Sequence, residues 1–264
     1  MIACLVAVLL VASSGGSGGS GTSGGHRATE HAAKPKPKPP AVDRVLAYTG
    51  YILRGSRHRR EVALTFDDGP SPYTPQVLKV LRRRHAPGTF FPIGQAINAD
   101  VPGLRRVRRS GFPIGDHTMT HPLMGHLPQA AQAEEIDHQA RLLRAYAHAP
   151  YPRLFRPPDG SFDDVTRQLL ARRRMLMVLW SVNPEDYFRP GADAIVERVL
   201  AGVRPGAIVL MHDGGGDRSQ TVAALPKVIH ALRARGYRLV TVPQMLDDAP
   251  PSRKQGPPPN LSGV

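Results

Sequence analysis

Short apolar runs alternate along residues 59–248 with longer stretches in which apolar positions recur every three or four residues. The run 62–66, Val-Ala-Leu-Thr-Phe, predicts a strand that ends in Asp-Asp-Gly-Pro. Residues 73–84 predict a helix with Val77, Leu78 and Leu81 on one face. A strand over 88–93 follows, then a helix over 102–110 leading to a strand at 112–115. The stretch 129–146 predicts a long helix with Ile136, Leu142 and Leu143 turned inward. Short strands are expected near 153–156 and 175–180. A helix over 192–202 precedes a strand at 207–210, and a helix over 219–235 precedes a last strand at 238–242. Such alternation implies parallel strands joined by crossover helices. About seven strands permit either an irregular (β/α) barrel or a doubly wound open sheet. Both place polar chemistry just beyond the strand ends.

The flanks read differently. Residues 2–12 are apolar throughout, too short to cross a bilayer as a helix, which needs about 20 residues, but suited to a secretory signal, assigned to 1–12. Residues 13–25 are nearly all Gly, Ser and Thr, and 34–40 read Lys-Pro-Lys-Pro-Lys-Pro-Pro. Residues 13–58 are therefore expected to be a disordered linker, 59–246 the folded domain, and 247–264 a disordered Pro-rich tail.

A length of 264 residues suits one large domain or two small ones. With 35 Lys and Arg against 21 Asp and Glu, the net charge is +14. Part of the excess sits in residues 1–58, so a basic tether to an anionic cell wall is expected. Nucleic acid is not expected as a partner, because charge alone supports it and no recognition motif is present. The single cysteine, Cys4, excludes intrachain disulfides and Cys-based zinc sites, so any metal must use His and carboxylates.

Unusual groups stand at four strand ends. Asp67 and Asp68 follow the first strand, and adjacent carboxylates there repel unless a cation or proton relieves them. His117 and His121 are four apart, a spacing that on one helical turn lets both reach one metal. Arg156 opens Arg-Pro-Pro-Asp-Gly, whose prolines and glycine stiffen the backbone. His212 follows the strand at 207–210, ahead of three glycines. Each alone reads equally well as an ordinary turn or surface group. Together, on successive βα units, one carboxylate and two His make a three-ligand catalytic metal site, leaving a second carboxylate and a His for proton transfer.

These residues resemble the polysaccharide deacetylases with the NodB-homology domain, carbohydrate esterase family four. The resemblance spans about residues 59–246. It rests on Thr65-Phe66-Asp67-Asp68-Gly69-Pro70, on His117-Thr118-Met119-Thr120-His121, on Arg156 with Pro158 and Gly160, on Asn183-Pro184-Glu185-Asp186-Tyr187 after Trp180, and on Leu210-Met211-His212. Asp159 stands where the family commonly has Tyr, Asn183 replaces an Asp, and Tyr187 replaces the customary Trp. The resemblance implies an irregular (β/α) barrel and metal-dependent removal of acetyl groups from a carbohydrate polymer. It implies Asp68, His117 and His121 as ligands of a divalent metal, expected to be Zn²⁺ because two donors are imidazoles. Asp67 would be general base, His212 general acid, Arg156 the partner of Asp67, and Asp186 the group that raises the pKa of His212. Asp159, Trp180, Tyr187 and Leu210 would contact substrate. The expected substrate is peptidoglycan N-acetylglucosamine, met outside the cytoplasm. Alternatives are a chitin-like oligomer, acetylxylan, or a glycan-binding protein with a decayed site.

Overall fold

A fully buried strand, β2 (Glu61–Asp67), is the axis of a parallel sheet whose computed structural model describes residues 38–150 and 152–254. Strand β1 (Tyr51–Ile52) precedes it, and β3 (Thr89–Phe91), β4 (Leu154–Phe155), β5 (Leu176–Val178), β6 (Ala207–His212) and β7 (Arg238–Val240) follow. Every ladder is parallel. β6 runs along one edge of β2, while β7 and then β3 occupy the other, and a second sheet orders β1, β5 and β4. Single bridges link the sheets. Phe90 pairs Ile114, Asp116 pairs Phe155, and Val182 pairs Val209, which completes a circuit of irregular strands. That is the irregular (β/α) barrel, with pairing reduced in places to one residue.

The helices are α1 (Ala41–Leu46), α2 (Thr74–Arg83), α3 (Gly94–Ala99), α4 (Val101–Arg109), α5 (Gln129–Ala147), α6 (Asp164–Arg172), α7 (Ala192–Gly202), α8 (Ser219–Ala234) and α9 (Val242–Asp248). The periodic segments of the sequence land on α2, α4, α5, α7 and α8. Their apolar faces cover the sheet: Val77, Leu78 and Leu81 of α2 and Leu225, Val228 and Ile229 of α8 bury with Val62, Leu64 and Phe66 of β2. The helices α3, α6 and α9 were not expected. α6 has a sequence signal in hindsight, the capping box formed by Asp163 and Thr166.

Three expectations need correction. The strand at 112–115 reduces to the bridges at Ile114 and Asp116, because Pro113 lacks an N–H and only its carbonyl accepts from Phe90. The last strand stops at Val240, since the Thr241 hydroxyl caps α9 by accepting from Gln244 N–H at 3.2 Å. Residues 41–58 are not a disordered linker. Val42, Val45 and Ile52 are buried with Phe91, Ile208 and Val240, and β1 pairs in register with Met177 and Val178. The tail is likewise anchored as far as Pro251, whose carbonyl accepts from Tyr48 Oη at 3.0 Å. The signal-like segment 1–12, residues 13–37 and residues 255–264 lie outside the described residues. No helix among the described residues is long and apolar enough to cross a membrane.

Candidate active site

All the chemistry gathers at the carboxyl ends of the strands, where parallel α/β folds leave a crevice. Asp67 is the last residue of β2, and Asp68 follows with φ +70°. That left-handed step reverses the alternation of a strand, so both carboxylates reach one side. The turn therefore begins at Asp68 itself, ahead of Gly69. It is wedged against the loop after β6: a Cβ on Gly214 would lie 2.1 Å from the Asp68 carbonyl oxygen.

His117 and His121 meet as expected, but not on a helical turn. Thr118 and His121 have φ of +70° and +62°, so the segment is an irregular loop. It is held from three sides. Gln139 of α5 accepts from His117 N–H at 2.7 Å, Glu135 accepts from Thr120, and Thr118 Oγ1 accepts from His121 N–H at 3.1 Å. His117 Nδ1 lies 2.7 Å from the Arg156 carbonyl, which can only accept, so Nδ1 carries a proton and Nε2 is the atom turned toward the two carboxylates. Nε2 of His117 and Nε2 of His121 each stand 3.5 Å from Asp68 Oδ1, a buried oxygen that makes no close hydrogen bond. The three donor atoms lie within 4.8 Å of one another. Acceptors aimed at one point with nothing between them fit a cation, and two imidazoles with a carboxylate suit zinc.

Arg156 follows β4 and is fully buried. Its Nη1 donates to Asp67 Oδ1 at 2.7 Å and to Thr65 Oγ1 at 2.8 Å, its Nε donates to the Val178 carbonyl at 2.9 Å, and its plane lies over the Phe91 ring. Across the crevice, His212 Nδ1 meets Asp186 Oδ1 at 2.7 Å, and Asp186 Oδ2 accepts from His212 N–H and from Thr221 Oγ1. Nε2 of His212 is thereby left for the crevice. Burial opposes charge on His212, but the Asp186 carboxylate outweighs it and pushes the imidazole up to about 9. Burial also acts to raise Asp68, yet the imidazoles of His117, His212 and His121 hold it well below the usual carboxylate range. Burial and the neighbouring His117 push His121 down.

These groups line a cavity of about 350 Å³. Asp67, Asp68, His117, His121 and His212 line it together with Asp159, Trp180, Asn183, Tyr187 and Leu210. Every site residue expected from the sequence is thus at the cavity or bonded to a residue that is. The Tyr187 ring stands edge-on to His212 with centroids 5.3 Å apart. Asp159 is exposed, at φ +51°. Larger surface clefts near Tyr48, near Arg54 and between α2 and α4 gather no comparable set of His and carboxylate groups.

Sequence reasoning missed the supporting residues. Thr65 shares the face of Asp67 by the period of two along β2, a readable signal. Gln139, fully buried, sits on the inward face of α5 with Ile136 and Leu143, where a polar residue marks a fixed partner. Thr221 and Asp213 carry no such signal. Asp213 is buried behind the first loop, accepts from Thr74 Oγ1, and is pushed up to about 7, burial being the main cause.

Residues 54–178 match the family described as polysaccharide deacetylase. The chain is 39% identical over 202 residues to a peptidoglycan-N-acetylglucosamine deacetylase of Bacillus cereus, covering 75% of this chain and 94% of that protein. It is 41% identical over 198 residues to a chitooligosaccharide deacetylase of a Bradyrhizobium species, covering 70% of this chain and 90% of that protein. A solved peptidoglycan N-acetylglucosamine deacetylase in complex with an N-hydroxybenzamide is similar with a TM-score of 0.73 and 31% identity, over 81% of this chain and 98% of that one.

Proposed function

The chain belongs to the polysaccharide deacetylase family and is a hydrolase of carbon–nitrogen bonds in acetylated carbohydrate, and from that premise we propose that it releases acetate from the N-acetylglucosamine units of peptidoglycan. The observation that carries the catalytic part is the convergence, on one cavity, of the Asp68–His117–His121 cluster, Arg156-held Asp67 and Asp186-held His212. Asp68, His117 and His121 would hold a divalent cation, Zn²⁺ by the softness of its two imidazole donors. When bound, such a cation polarises an amide carbonyl and acidifies water, which an amide needs because it is a poor electrophile.

The protein's own groups do the rest. Asp67, oriented by Arg156, takes the proton of the attacking water. His212, on the opposite wall, gives the proton at Nε2 to the departing amine nitrogen as the C–N bond breaks. An amine leaves poorly as an anion, so this proton is required, and Asp186 keeps it available. Acetate and a free amine result. Leu210 and Trp180 offer apolar surface to the acetyl methyl, and Tyr187 and Asp159 stand at the rim for the sugar. An intact set of this kind speaks against a decayed glycan-binding protein.

A second reading, a chitooligosaccharide substrate, is supported by the comparable identity to the Bradyrhizobium enzyme. The signal-like leader and the Lys-Pro segment support an extracytoplasmic enzyme held at the wall. The test pairs metal analysis with product assays on peptidoglycan, chitin oligomers and acetylxylan. Stoichiometric zinc and glucosamine formation in peptidoglycan are expected, with His117→Ala losing both. Full zinc occupancy in that variant would sink the ligand assignment, and turnover confined to chitin oligomers would replace the substrate.

A further inference from the structure

The strongest charged feature outside the active site is a groove between α2 and α4. α2 with its last turn carries Lys79, Arg82, Arg83 and Arg84, and α4 carries Arg105, Arg106, Arg108 and Arg109. All eight are exposed, and neither helix contains an acid. Elsewhere some arginines find carboxylates, as Arg44 does with Asp247, Arg173 with Asp137 and Arg198 with Glu185, while others without one, such as Arg57, Arg144 and Arg172, stand on separate elements. Among the described residues, none of these eight has a carboxylate partner. A net charge of +14 would by itself spread bare cations over the whole surface. Here they are gathered, and three of them line one concavity.

That concavity holds about 430 Å³ and is lined by Arg82, Arg106, Arg109 and Ser110 over Pro75 and Leu78. Arg106 and Arg109 are three apart on α4, so they share a face, and Arg82 meets them from α2. Leu78 and Val107 bury beneath, so the two helices are fixed by the core and the guanidinia are presented on a rigid base. Arg233 of α8 adds a further cation at the foot of α2, where it donates to the carbonyls of Arg84 and His85 at 2.6 and 2.8 Å. The groove shares no residue with the catalytic cavity.

Like charges crowded without counter-charge are unfavourable until an anion joins them. Guanidinium forks match tetrahedral phosphate oxygens two at a time, and seven of the eight cations are arginines rather than lysines. We propose that the α2–α4 groove is a phosphate-binding surface that docks the protein onto a phosphodiester-linked polymer attached to its glycan. The choice of a glycan-borne polymer rests on the deacetylase reading. The phosphate affinity does not, and is measured without turnover.

The probe is linear inorganic polyphosphate, titrated into the full chain at several salt concentrations. Arg82→Ala/Arg106→Ala/Arg109→Ala is compared with Arg57→Ala/Arg144→Ala/Arg172→Ala, which removes the same charge from exposed positions elsewhere. Alanine favours helix at the five helical positions and Arg57 lies in an exposed turn, so both triples should fold. The groove triple should weaken binding at least tenfold and the control less than threefold. The slope of log affinity against log salt should flatten by about 2, three contacts at roughly 0.7 each as for flexible strands. Equal losses in the two triples would reduce the attraction to net charge and overturn the site. Polyglutamate of matched charge binding as tightly as polyphosphate would overturn the phosphate preference. Isolated cell walls should retain the wild type more than the groove triple, and only while their phosphate polymers remain attached. Retention indifferent to stripping, or duplex DNA binding tighter than polyphosphate, would overturn the glycan-borne polymer. Turnover of a short soluble oligomer should be equal in all three proteins.

Discussion

His212 and Asp67 face one cavity with opposite proton demands, and each is held by one partner of opposite charge. Asp67→Asn should keep its metal while losing turnover by about 10²–10⁴-fold, since the water loses its base, and His212→Ala should do the same for want of an acid. Metal content and kcat measured on the same preparations check both, and an Asp67→Asn protein without metal would reverse the roles of the two carboxylates. Asp186→Asn tests the source of the His212 shift. The folded imidazole sits at about 9, above its ordinary value of about 6.5, so the raised pKa stabilises the fold fully below pH 6.5 and that contribution is lost as pH rises through 9. The active, protonated form follows the same sign. The alkaline limb of kcat should therefore lie near pH 9, or lower where a bound cation repels the imidazolium, and should move toward the ordinary His range in Asp186→Asn. A limb that stays put in the variant would show that another group sets it.

At the level of elements, α1 and β1 change the expected outcome of a truncation. The sequence pattern places the start of the folded domain at Arg59. In the fold such a start would strip Val42, Val45 and Ile52 from the core and leave an edge of β5 unpaired. Each buried aliphatic side chain is worth about 1.5–3 kcal/mol, so the loss takes a large share of a typical stability of about 5–15 kcal/mol. Urea unfolding should show the Arg59 start destabilised by several kcal/mol or insoluble, while a start at Lys38 unfolds at the same midpoint as the full chain. Two equal midpoints would mean that α1 is only laid against the domain. The cause of the misreading is local. Val42, Val45 and Ile52 stand beside a Pro- and Lys-rich run, and a six-residue helix with a two-residue strand carries too little periodicity to outweigh that composition. The same brevity hid α3 and α9, whereas α5 and α7 were readable because each presents several turns of one apolar face.

For the whole molecule, a cation held by Asp68, just beyond β2, and by the His loop would tie two separate parts of the circuit together. Removing it with a chelator should abolish turnover and lower Tm. At a free metal concentration 100 times Kd, binding adds about 2.7 kcal/mol, which for a domain of this size corresponds to a Tm shift of about 5–10 °C. Zinc should restore both in calorimetry and assay, and an unchanged Tm would mean the cluster holds no metal in solution. The chain's linear pattern was enough to order the α/β units and to place Asp67, Asp68, His117, His121, Arg156 and His212 at strand ends, because strand periodicity and short motifs are properties of neighbours in sequence; the individual roles came from the family resemblance. Only the tertiary structure decided that Thr118 and His121 take left-handed backbone, that Gln139 and the Arg156 carbonyl aim His117, and that Thr221 braces Asp186. Those contacts join residues 22, 39 and 35 positions apart. Their geometry is set by how whole helices pack on the sheet, which no local pattern encodes.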